Sequence, residues 1–534
     1  MGPRAFTWVL VTSFGLAGCN FLRGYAEGPS TSFAPYESRS LAASERGAAR
    51  FLFDDFGSIN TDTLETNAVP WKLVAAALVS KKYPGEPPTQ ERLRRILGSY
   101  GFIYPESVGN WPGPAQPAFQ LPLGIISGML QRDIPRVRVE VANLSCASCH
   151  SGATYDAGGN PRAIVWLGLP NTSLDLDAYV DGVLDALRTA VKDREATFAA
   201  IQALFPDVGA DELKTLRKFV WPLLVERLGE GTDGLPFRNG GPGRSNGVEA
   251  LKFQFKLPAG AHPTAAAVSM PYIGEQRLRW SLLADGIYKR HGDPRFGPRA
   301  LAAAAPPGQT AEMVSFVTVP TMGLKPDKAV KIVGTMSDVL VFMAGYEPPA
   351  FPGEIDRAAA IRGAALYARC ASCHGEFEER GGRLRLSSFP NRLSTIEEIG
   401  TDGARLEAVS PAVIAAVAGT PSGRYLEAAE TRGYVAPALV SVWATAPYLH
   451  NGSVPTLAAL MSPEERPARF LVGGHRLDFE KVGIDDYPPD YQPWSTPRLF
   501  DTAEPGRSNR GHEREFEGLS EADKADLIEF LKQL

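Results

Sequence analysis

One pentapeptide, Cys-Ala-Ser-Cys-His, occurs twice in this chain of 534 residues, at 146–150 and at 370–374. The chain has five cysteines, and these two copies contain all of them except Cys19. Two cysteines separated by two residues make a poor structural disulfide, because closing so small a loop removes little entropy from the unfolded chain. We therefore expect another use for the four thiols.

Cys-x-x-Cys-His is the attachment sequence of c-type haem, in which both thiols bond to the porphyrin and the imidazole binds iron. A zinc site needs four ligands, and each pentapeptide offers at most three. A thioredoxin-like dithiol is expected in a βαβ unit, which the sequence does not show. The motifs therefore predict two covalently bound haem c groups, with His150 and His374 as iron ligands and thioether bonds at Cys146, Cys149, Cys370 and Cys373.

The charge balance argues against a nucleic-acid partner. Lys and Arg total 55 against 60 Asp and Glu, so the formal net charge is −5, without a basic stripe. At 44% hydrophobic and 22% charged residues, the composition is that of an ordinary globular protein.

The first residues are typical of a targeting segment. Arg4 precedes an apolar run, Phe6 to Leu16, that is too short to span a bilayer. The following Leu16-Ala17-Gly18-Cys19 resembles the lipobox of bacterial lipoproteins, which implies a signal peptide over 1–18 and acylation of Cys19; the alternative is an ordinary secretory signal. We expect export and a lipid anchor in a bacterial membrane, facing the periplasm or the cell exterior, with no other membrane contact.

The second half resembles a class I cytochrome c. Residues 357–369 have helical composition, with Ile361, Ala364, Ala365 and Ala368 on one face, and Gly363 precedes the motif where the C-terminal helix of such a domain crosses. That final helix is predicted after a capping-box-like pair, Ser520 and Asp523, with an apolar stripe of Leu527, Ile528, Leu531 and Leu534.

The first motif has a different context. Residues 137–141 alternate as a strand does, and two amphipathic helices follow, one carrying Val180, Val183, Leu184, Leu187 and Val191, the other running from Leu213 to Leu228 with a kink at Pro222. We expect both stripes to pack in the core. The predicted fold is mainly α, with few short strands, long loops and two cytochrome c-like haem domains: an enlarged one over 19–350 and a class I-like one over 351–534.

The segment Trp443-Ala-Thr-Ala-Pro-Tyr-Leu-His-Asn-Gly-Ser-Val-Pro-Thr-Leu457 resembles a signature of the bacterial di-haem cytochrome c peroxidase superfamily. This superfamily also holds the methylamine dehydrogenase maturation enzymes and the rubber oxygenases. Gly168-Leu-Pro-Asn-Thr-Ser-Leu-Asp-Leu176 and Asn509-Arg-Gly-His512 are similar to the rubber-oxygenase-like branch. The resemblance covers most of the chain after the signal segment.

The resemblance implies that the haem of His150 (haem 1) binds the oxidant and that the haem of His374 (haem 2) relays electrons. It places a sixth ligand of haem 2 shortly before the last helix, which favours His512, with His450 and Met461 as alternatives. His450 is also compatible with a place beside the haem, and His512 with a solvated loop. His262 is a candidate second ligand of haem 1, whereas His291 and His475 lie in polar loops and are expected to be ordinary.

The family also implies residues that this chain supplies less clearly. An aromatic relay between the haems is expected, and Trp280 lies in the corresponding region, but Ala284 occupies the position directly before Asp-Gly where the family has Trp. A core role for Trp280 is therefore equally compatible. The acid–base residue is a Glu or Gln in the family, and Glu275, Gln276, Gln309 and Glu312 are candidates. Calcium between the domains is implied by analogy, without an evident ligand loop.

The sequence thus predicts an exported di-haem c-type oxidoreductase. The leading hypothesis is a peroxidase that reduces hydrogen peroxide at haem 1 with electrons from a small redox protein, passed through haem 2. A dioxygenase that uses dioxygen to cleave an alkene or polyisoprenoid is the enzymatic alternative. A non-enzymatic di-haem electron carrier is the third hypothesis.

Overall fold

The computed structural model describes residues 32–59, 69–132, 136–229 and 237–534. Cys19 and the predicted signal peptide lie outside the described residues. Helices account for 41% of the chain and strands for 16%, so the fold is mixed, with more strand than the mainly α prediction allows. Within the ranges described, no helix has the length and apolar character needed to cross a membrane.

The helices of the first half, in chain order, are α1 (Ala34–Glu37), α2 (Ala43–Phe53), α3 (Trp71–Lys82), α4 (Gln90–Ser99), α5 (Cys146–Cys149), α6 (Leu176–Ala190), α7 (Arg194–Leu204), α8 (Ala210–Thr215), α9 (Trp221–Gly229), α10 (Gly247–Gln254), α11 (Pro307–Met322), α12 (Pro326–Ala329) and α13 (Val333–Ala344). Its strands are β1 (Val69–Pro70), β2 (Ser107–Val108), β3 (Ile125–Arg132), β4 (Val137–Leu144), β5 (Ser151–Tyr155), β6 (Pro161–Leu167), β7 (Arg244–Ser245), β8 (Val268–Ser269), β9 (Ser281–Leu282), β10 (Tyr288–Arg290) and β11 (Arg299–Ala300).

The second half contains the helices α14 (Arg357–His374), α15 (Ile396–Ile399), α16 (Ala404–Glu407), α17 (Pro411–Ala418), α18 (Leu457–Met461), α19 (Glu513–Phe516) and α20 (Glu521–Leu531). Its strands are β12 (Glu376–Arg380), β13 (Arg383–Phe389), β14 (Leu393–Thr395), β15 (Leu426–Ala428), β16 (Gly433–Val435), β17 (Arg469–Val472), β18 (Leu477–Asp478), β19 (Gly483–Ile484) and β20 (Arg498–Asp501). The sheets have two or three strands each, in the orders β1-β4-β3, β2-β6-β5, β15-β10-β9, β11-β13-β12, β7-β8, β14-β16, β17-β20 and β18-β19.

The first haem motif follows a strand, as predicted. β4 pairs antiparallel with β3 along its whole length and leads through Ser145 into the single turn of α5. The amphipathic helices after the motif are also found: α6 is capped by Asp175, whose carboxylate accepts from Ala178 N–H at 2.9 Å. A π-helical turn over Leu216–Val220 joins α8 to α9 directly before Pro222, where the missing N–H removes a helical hydrogen bond.

The second motif ends α14, and α20 crosses this helix closely. The predicted capping box is confirmed, because Ser520 and Asp523 bond reciprocally at the start of α20. The predicted apolar face of α14 is wrong. Ile361 is 74% exposed, whereas Ala359, Ala360, Gly363 and Tyr367 are buried, because the small residues let the two helices approach.

Two main apolar cores divide the described chain near residue 350. The first contains residues from Phe33 to Tyr346, and the second contains residues from Phe351 to Leu534. The division is not complete, since Val413, Val417 and Leu426 pack in the first core. β15 and β13 also pair with strands of the first half. The boundary at 350/351 therefore stays a prediction.

Candidate functional site

The first haem-attachment motif is a one-turn helix held by the backbone on both sides. Ser145 N–H donates to Gly124 O at 2.8 Å, and a Cβ on Gly124 would lie only 2.2 Å from Ser148 Cα. This close approach, at a φ of +85°, requires glycine. The His150 Nδ1–H donates to Pro271 O at 3.1 Å, which leaves Nε2 available to a metal.

The segment Gly168 to Asn171 fixes the same motif from behind. Gly168 N–H donates to His150 O at 2.9 Å, and Asn171 N–H donates to Cys149 O at 2.8 Å. The Asn171 side chain is buried and donates through Nδ2 to both Ser148 O and Gly101 O. The Gly-Leu-Pro-Asn sequence therefore positions the proximal histidine, a role that its similarity to family sequences did not specify.

The second motif repeats the key interaction. His374 Nδ1–H donates to Pro437 O at 2.8 Å. Burial, with a smaller contribution from His512, lowers the pKa of His374 to about 4, and burial lowers the pKa of His150 likewise to about 4. Both imidazoles are therefore neutral near pH 7, which is the form that binds metals. The four cysteines of the motifs are not joined in disulfides.

His512 faces His374. The two ring centres are 6.2 Å apart, and the ring planes differ by 32°. Two axial imidazoles with metal–nitrogen bonds of roughly 2 Å, and ring nitrogens roughly 1 Å from their ring centres, would have centres roughly 6 Å apart. The separation therefore fits an iron between these rings. Burial also lowers the pKa of His512 to about 4, and its buried Nδ1 has no hydrogen-bond partner in the described structure.

The loop that carries His512 is anchored by residues that sequence reasoning assigned no such role. The Asn451 Nδ2 group donates to Gly506 O and Ser508 O, and the Ser453 hydroxyl also donates to Ser508 O. Arg466 donates to Asn509 O at 2.6 Å and Gly511 O at 2.9 Å. The Asn-Gly-Ser part of the signature thus holds the backbone just before His512; no sequence signal identified Arg466.

The alternative ligands of haem 2 are placed differently. The His450 ring stacks on Tyr434 at a centre-to-centre distance of 4.0 Å, and no ring contact with His374 is found among the described residues. Met461 is buried at the end of α18 and lines the same cavity as His374. His512 is the candidate whose ring pairs with that of His374; iron ligation by any of the three stays a prediction.

One cavity of about 750 Å³ is lined by both pentapeptides, His450 and His512. Its walls are mostly apolar, and one comes from α6, whose stripe was expected to pack in the core. Val180, Val183, Leu184 and Leu187 line the cavity, and Val183 and Leu187 also pack in the first core, as predicted. Apolar residues of α11 and α13 also line it: Val314, Val317, Met336, Val339, Leu340 and Met343. Apolar residues at helical spacing give the same sequence pattern whether they pack against other side chains or against a cofactor.

Two cavity-lining arginines have unused hydrogen-bonding capacity. Arg405 pairs through Nε with Asp285 at 2.9 Å, but its buried Nη1 has no partner within the described ranges. Among the described residues, Arg279 donates to the backbone carbonyls of Ser281 and Leu283, and burial lowers its pKa to about 10, against the opposing effect of Asp285. Two guanidinium groups thus share one carboxylate, and a buried cation without its own anion is costly. Haem propionates would supply the missing anions, so the cavity wall fits haem in charge as well as in polarity.

Trp280 lies outside the cavity lining. The Arg299 guanidinium stacks over the Trp280 ring at 3.5 Å, and the buried indole Nε1 has no acceptor in the described part of the chain. Ala284, which occupies the family's Trp position, does line the cavity. The relay role of Trp280 stays a prediction, and its placement gives that role no support.

The acid–base candidates separate into two groups. Glu275 and Gln276 line the cavity, whereas Gln309 and Glu312 do not, and Glu312 lies 3.5 Å from Arg290. Burial raises the pKa of Glu275 to about 7, and its buried Oε2 accepts no hydrogen bond from the described residues. Glu275 is therefore the candidate that the geometry favours.

Within its described residues, the structure provides no site for the two remaining metal predictions, which are His262 as a ligand of haem 1 and a calcium ion between the domains. His262 is exposed and does not line the cavity, so it cannot serve as a second ligand of haem 1 in this conformation. Across the ranges that the structure covers, no group of three or more His, Cys, Asp or Glu side chains could hold a metal ion. The calcium prediction thus remains without a proposed site.

The two Cys-Ala-Ser-Cys-His motifs share one cavity whose lining fits haem. Residues 433–471 match a family model described as RoxA-like, cytochrome c-like, which implies haem c and supports the resemblance to rubber-oxygenase-like cytochromes. The uncharacterized protein y4iM of Sinorhizobium fredii is 31% identical over 238 residues, 36% of this chain and 52% of its own length. The uncharacterized protein y4iJ of the same organism is 31% identical over 255 residues, 36% of this chain and 42% of its own length. The chain thus spans about half the length of the curated relatives it matches.

Proposed function

We propose that the protein is an exported di-haem c-type oxidoreductase that reduces peroxide at haem 1. Electrons would come from a small redox protein and pass through haem 2. The observation that carries the proposal is the asymmetry between the two motifs. His374 faces a second histidine, His512, whereas no histidine ring lies against that of His150 among the described residues.

Bound haem would supply iron, which can accept an oxygen ligand where a coordination position is open and transfers electrons where both positions are filled. Pro271 O would hold the His150 ring with Nε2 directed at such an iron, and Pro437 O would do the same for His374. A haem 2 with both axial positions filled could transfer electrons but not bind peroxide. A peroxidase needs such a relay, because its electrons come from an external donor. An oxygenase that needs no reductant would not require this relay.

Glu275 fits the part of the proton donor. A peroxide bond breaks most easily when a proton reaches the departing oxygen, and a group with a pKa near the working pH serves best. Glu275 lines the cavity, and its Oε2 accepts no hydrogen bond within the described structure, with Arg277 Nε 3.9 Å away. Burial raises its pKa to about 7, so it carries a proton at slightly acidic to neutral pH.

The apolar cavity wall favours a second candidate, oxygenation of an apolar alkene with dioxygen. The α6 stripe and the facing residues of α11 and α13 offer the surface that a hydrocarbon substrate would need. The match to a RoxA-like cytochrome c model fits this candidate as well. The same wall would also enclose the porphyrin itself, and for that reason we place this function second.

A resting-state EPR spectrum of the haem-loaded protein tests the proposal. We expect one high-spin ferric haem, whose signal is lost on adding cyanide, and one low-spin haem. Peroxide should then drive the oxidation of reduced cytochrome c. Two low-spin haems that ignore cyanide would instead identify an electron carrier. Oxygen uptake with a polyisoprene or terpene, without any reductant, would establish the oxygenase.

Replacing His512 by Ala tests the assignment of the closed haem. The low-spin signal should become high-spin while the mass still shows two bound haems, because both Cys pairs are intact. His450→Ala is the matched control and should leave the low-spin signal unchanged. If His450→Ala converted the low-spin signal to high-spin and His512→Ala did not, the assignment of His512 as the ligand would be wrong.

A further inference from the structure

The half-buried Tyr155 and the buried His475 form a pair outside the predicted haem ligands. Tyr155 ends β5, the strand that follows His150, and His475 is 3% exposed in the turn between β17 and β18. The Tyr155 hydroxyl lies 3.5 Å from His475 Nε2, and no other hydrogen-bond partner of this hydroxyl is found in the described structure. The sequence placed His475 in a polar loop, but the fold buries it against a phenol.

The pair is arranged for proton transfer. In the neutral tautomer that carries its proton on Nδ1, His475 Nε2 can accept the phenolic proton. Burial lowers the pKa of His475 to about 4, in agreement with this neutral state. The buried Nδ1 has no partner among the described residues. A purely structural buried histidine normally has both nitrogens satisfied.

Neighbouring phenols fix the position of His475. Tyr487 donates to Gly473 O at 2.7 Å, and Tyr491 donates to Gly474 O at 2.6 Å. Gly474 N–H donates in turn to the Ser173 hydroxyl at 2.9 Å. The backbone immediately before the imidazole is therefore held from three directions.

The β5–β6 hairpin is tied to the same segment. Leu477 N–H donates to Gly159 O at 2.8 Å, and the Arg476 side chain donates to Gly158 O at 2.7 Å. These bonds join the hairpin that carries Tyr155 to the strand that follows His475. The phenol and the imidazole thus belong to one rigid unit.

Tyr448 connects this pair to the haem cavity. Tyr448 lines the cavity and packs in the second core, against which Tyr155 also packs. Burial, and after it the neighbouring Tyr155, raises the pKa of Tyr448. Tyr155 therefore packs against the same core as a cavity-lining tyrosine, and it has a base beside it.

We propose that Tyr155 is a redox-active tyrosine. A hydroperoxide reduced in the cavity takes up two electrons and two protons, and its O–O bond breaks to give water and a hydroxyl product. One of these electrons would come from Tyr155 by way of Tyr448, while the phenolic proton moves to His475 Nε2. The other electron would come from the external donor through haem 2, and solvent would supply the two protons that the hydroperoxide takes up. The products on the protein are a neutral tyrosyl radical and an imidazolium. An electron from the external donor and return of the proton restore the phenol, so the inference rests on the proposed peroxidase function.

The base is what distinguishes Tyr155 from the other tyrosines near the cavity. Oxidising a phenol that keeps its proton creates a strongly acidic radical cation, so a base within reach of the hydroxyl makes the oxidation easier. Tyr100 provides the comparison, because its ring lies 6.0 Å from that of Tyr179, which lines the cavity. The Tyr100 hydroxyl is buried and has no hydrogen-bond partner within the described ranges. Each phenol is associated with a tyrosine that lines the cavity, Tyr448 for Tyr155 and Tyr179 for Tyr100. Within the described ranges, Tyr155 has a base beside its hydroxyl, whereas Tyr100 has no hydrogen-bond partner.

The test is rapid-freeze EPR of the haem-loaded protein after mixing with hydrogen peroxide. Optical spectra of the Soret band are recorded on the same samples. We expect a radical signal near the free-electron g value that narrows when ring-deuterated tyrosine is incorporated. Tyr155→Phe should reduce this signal at least tenfold, whereas Tyr100→Phe should leave it unchanged. His475→Gln should shorten the radical lifetime without changing the haem content.

The two readouts separate the possible failures. A Soret change together with a radical that persists in Tyr155→Phe would overturn the inference but leave the proposed function standing. A wild-type protein that reacts with peroxide and yields no tyrosyl radical would do the same. Absence of any Soret change would overturn both, since no oxidising equivalent would then reach the tyrosines.

Discussion

The crossing of α14 over α20 gives a quantitative prediction for Gly363→Ala. A Cβ at this position would lie 2.0 Å from Asp526 O, 2.6 Å from Asp526 C and 3.0 Å from the Phe530 Cβ. Ordinary contacts begin at 3.4 Å, so the helices must separate by about 1.4 Å. The obstacle is helix backbone, which cannot rotate away as a side chain can.

Overpacking of this kind costs about 1–3 kcal/mol, and the stiff carbonyl places Gly363→Ala at the upper end. Alanine returns about 1 kcal/mol of helix propensity. We therefore expect a net loss of about 2 kcal/mol in the free energy of unfolding. Because His374 ends α14, the spectrum of haem 2 should change as well.

Urea titration followed by both the Soret band and far-UV circular dichroism measures this loss. Gly334→Ala in α13 is the matched control, because Gly334 is exposed and a Cβ added there would meet no atom within 4 Å. The control should be up to about 1 kcal/mol more stable than wild type. If Gly363→Ala gained stability to the same extent, the close crossing of the two helices would be refuted.

Three further changes probe the cavity and its supports. Arg466→Ala removes the bonds to Asn509 O and Gly511 O, so EPR should show part of haem 2 becoming high-spin, whereas Arg469→Ala, at an exposed ion pair, should show no change. Arg279→Gln removes a cation from the cavity wall and should lower the midpoint potential of one haem by on the order of tens of millivolts in a spectroelectrochemical titration. Unchanged potentials of both haems would exclude an electrostatic interaction between Arg279 and haem. Burial raises the pKa of Glu275 from 4.5 to about 7, so stability present below about pH 4.5 is lost as the pH rises to about 7. Glu275→Gln should therefore become more stable than wild type across that window and keep a constant advantage above it; a pH-independent difference in unfolding free energy would contradict the buried carboxyl.

The sequence predicted features whose signal is local. The capping box at Ser520, the strand before Cys146 and the glycine at 363 each depend on neighbouring residues or on one helix crossing, and the structure contains all three. The exposed side of α14 was assigned wrongly because Ile361 outweighs alanine in any apolar count. The partner helix instead selects small residues, a preference that periodicity alone cannot show.

Other parts of the site have no sequence signature. Pro271 and Pro437 act through their carbonyl oxygens, which every residue possesses, so only the fold identifies them as acceptors for the two proximal histidines. The α6 stripe has the spacing of a core helix, and nothing in its residues distinguishes a protein core from a cofactor cavity. Arg466 is far in sequence from the loop that it anchors.

The two identical pentapeptides provide the same thiols and imidazole, so they cannot by themselves determine which haem is open. That difference must come from what faces each motif. Asn451, Ser453 and Arg466 hold the loop that brings His512 against His374. The shared cavity is also lined by α6, α11 and α13, whose cavity-lining side chains are mainly apolar. An apolar wall would leave room for a small oxidant, whereas an imidazole bound to the iron would occupy the position that an oxidant needs. The division of labour that we propose therefore depends on residues distant in sequence from both motifs, and loosening the His512 loop should make the second haem behave like the first.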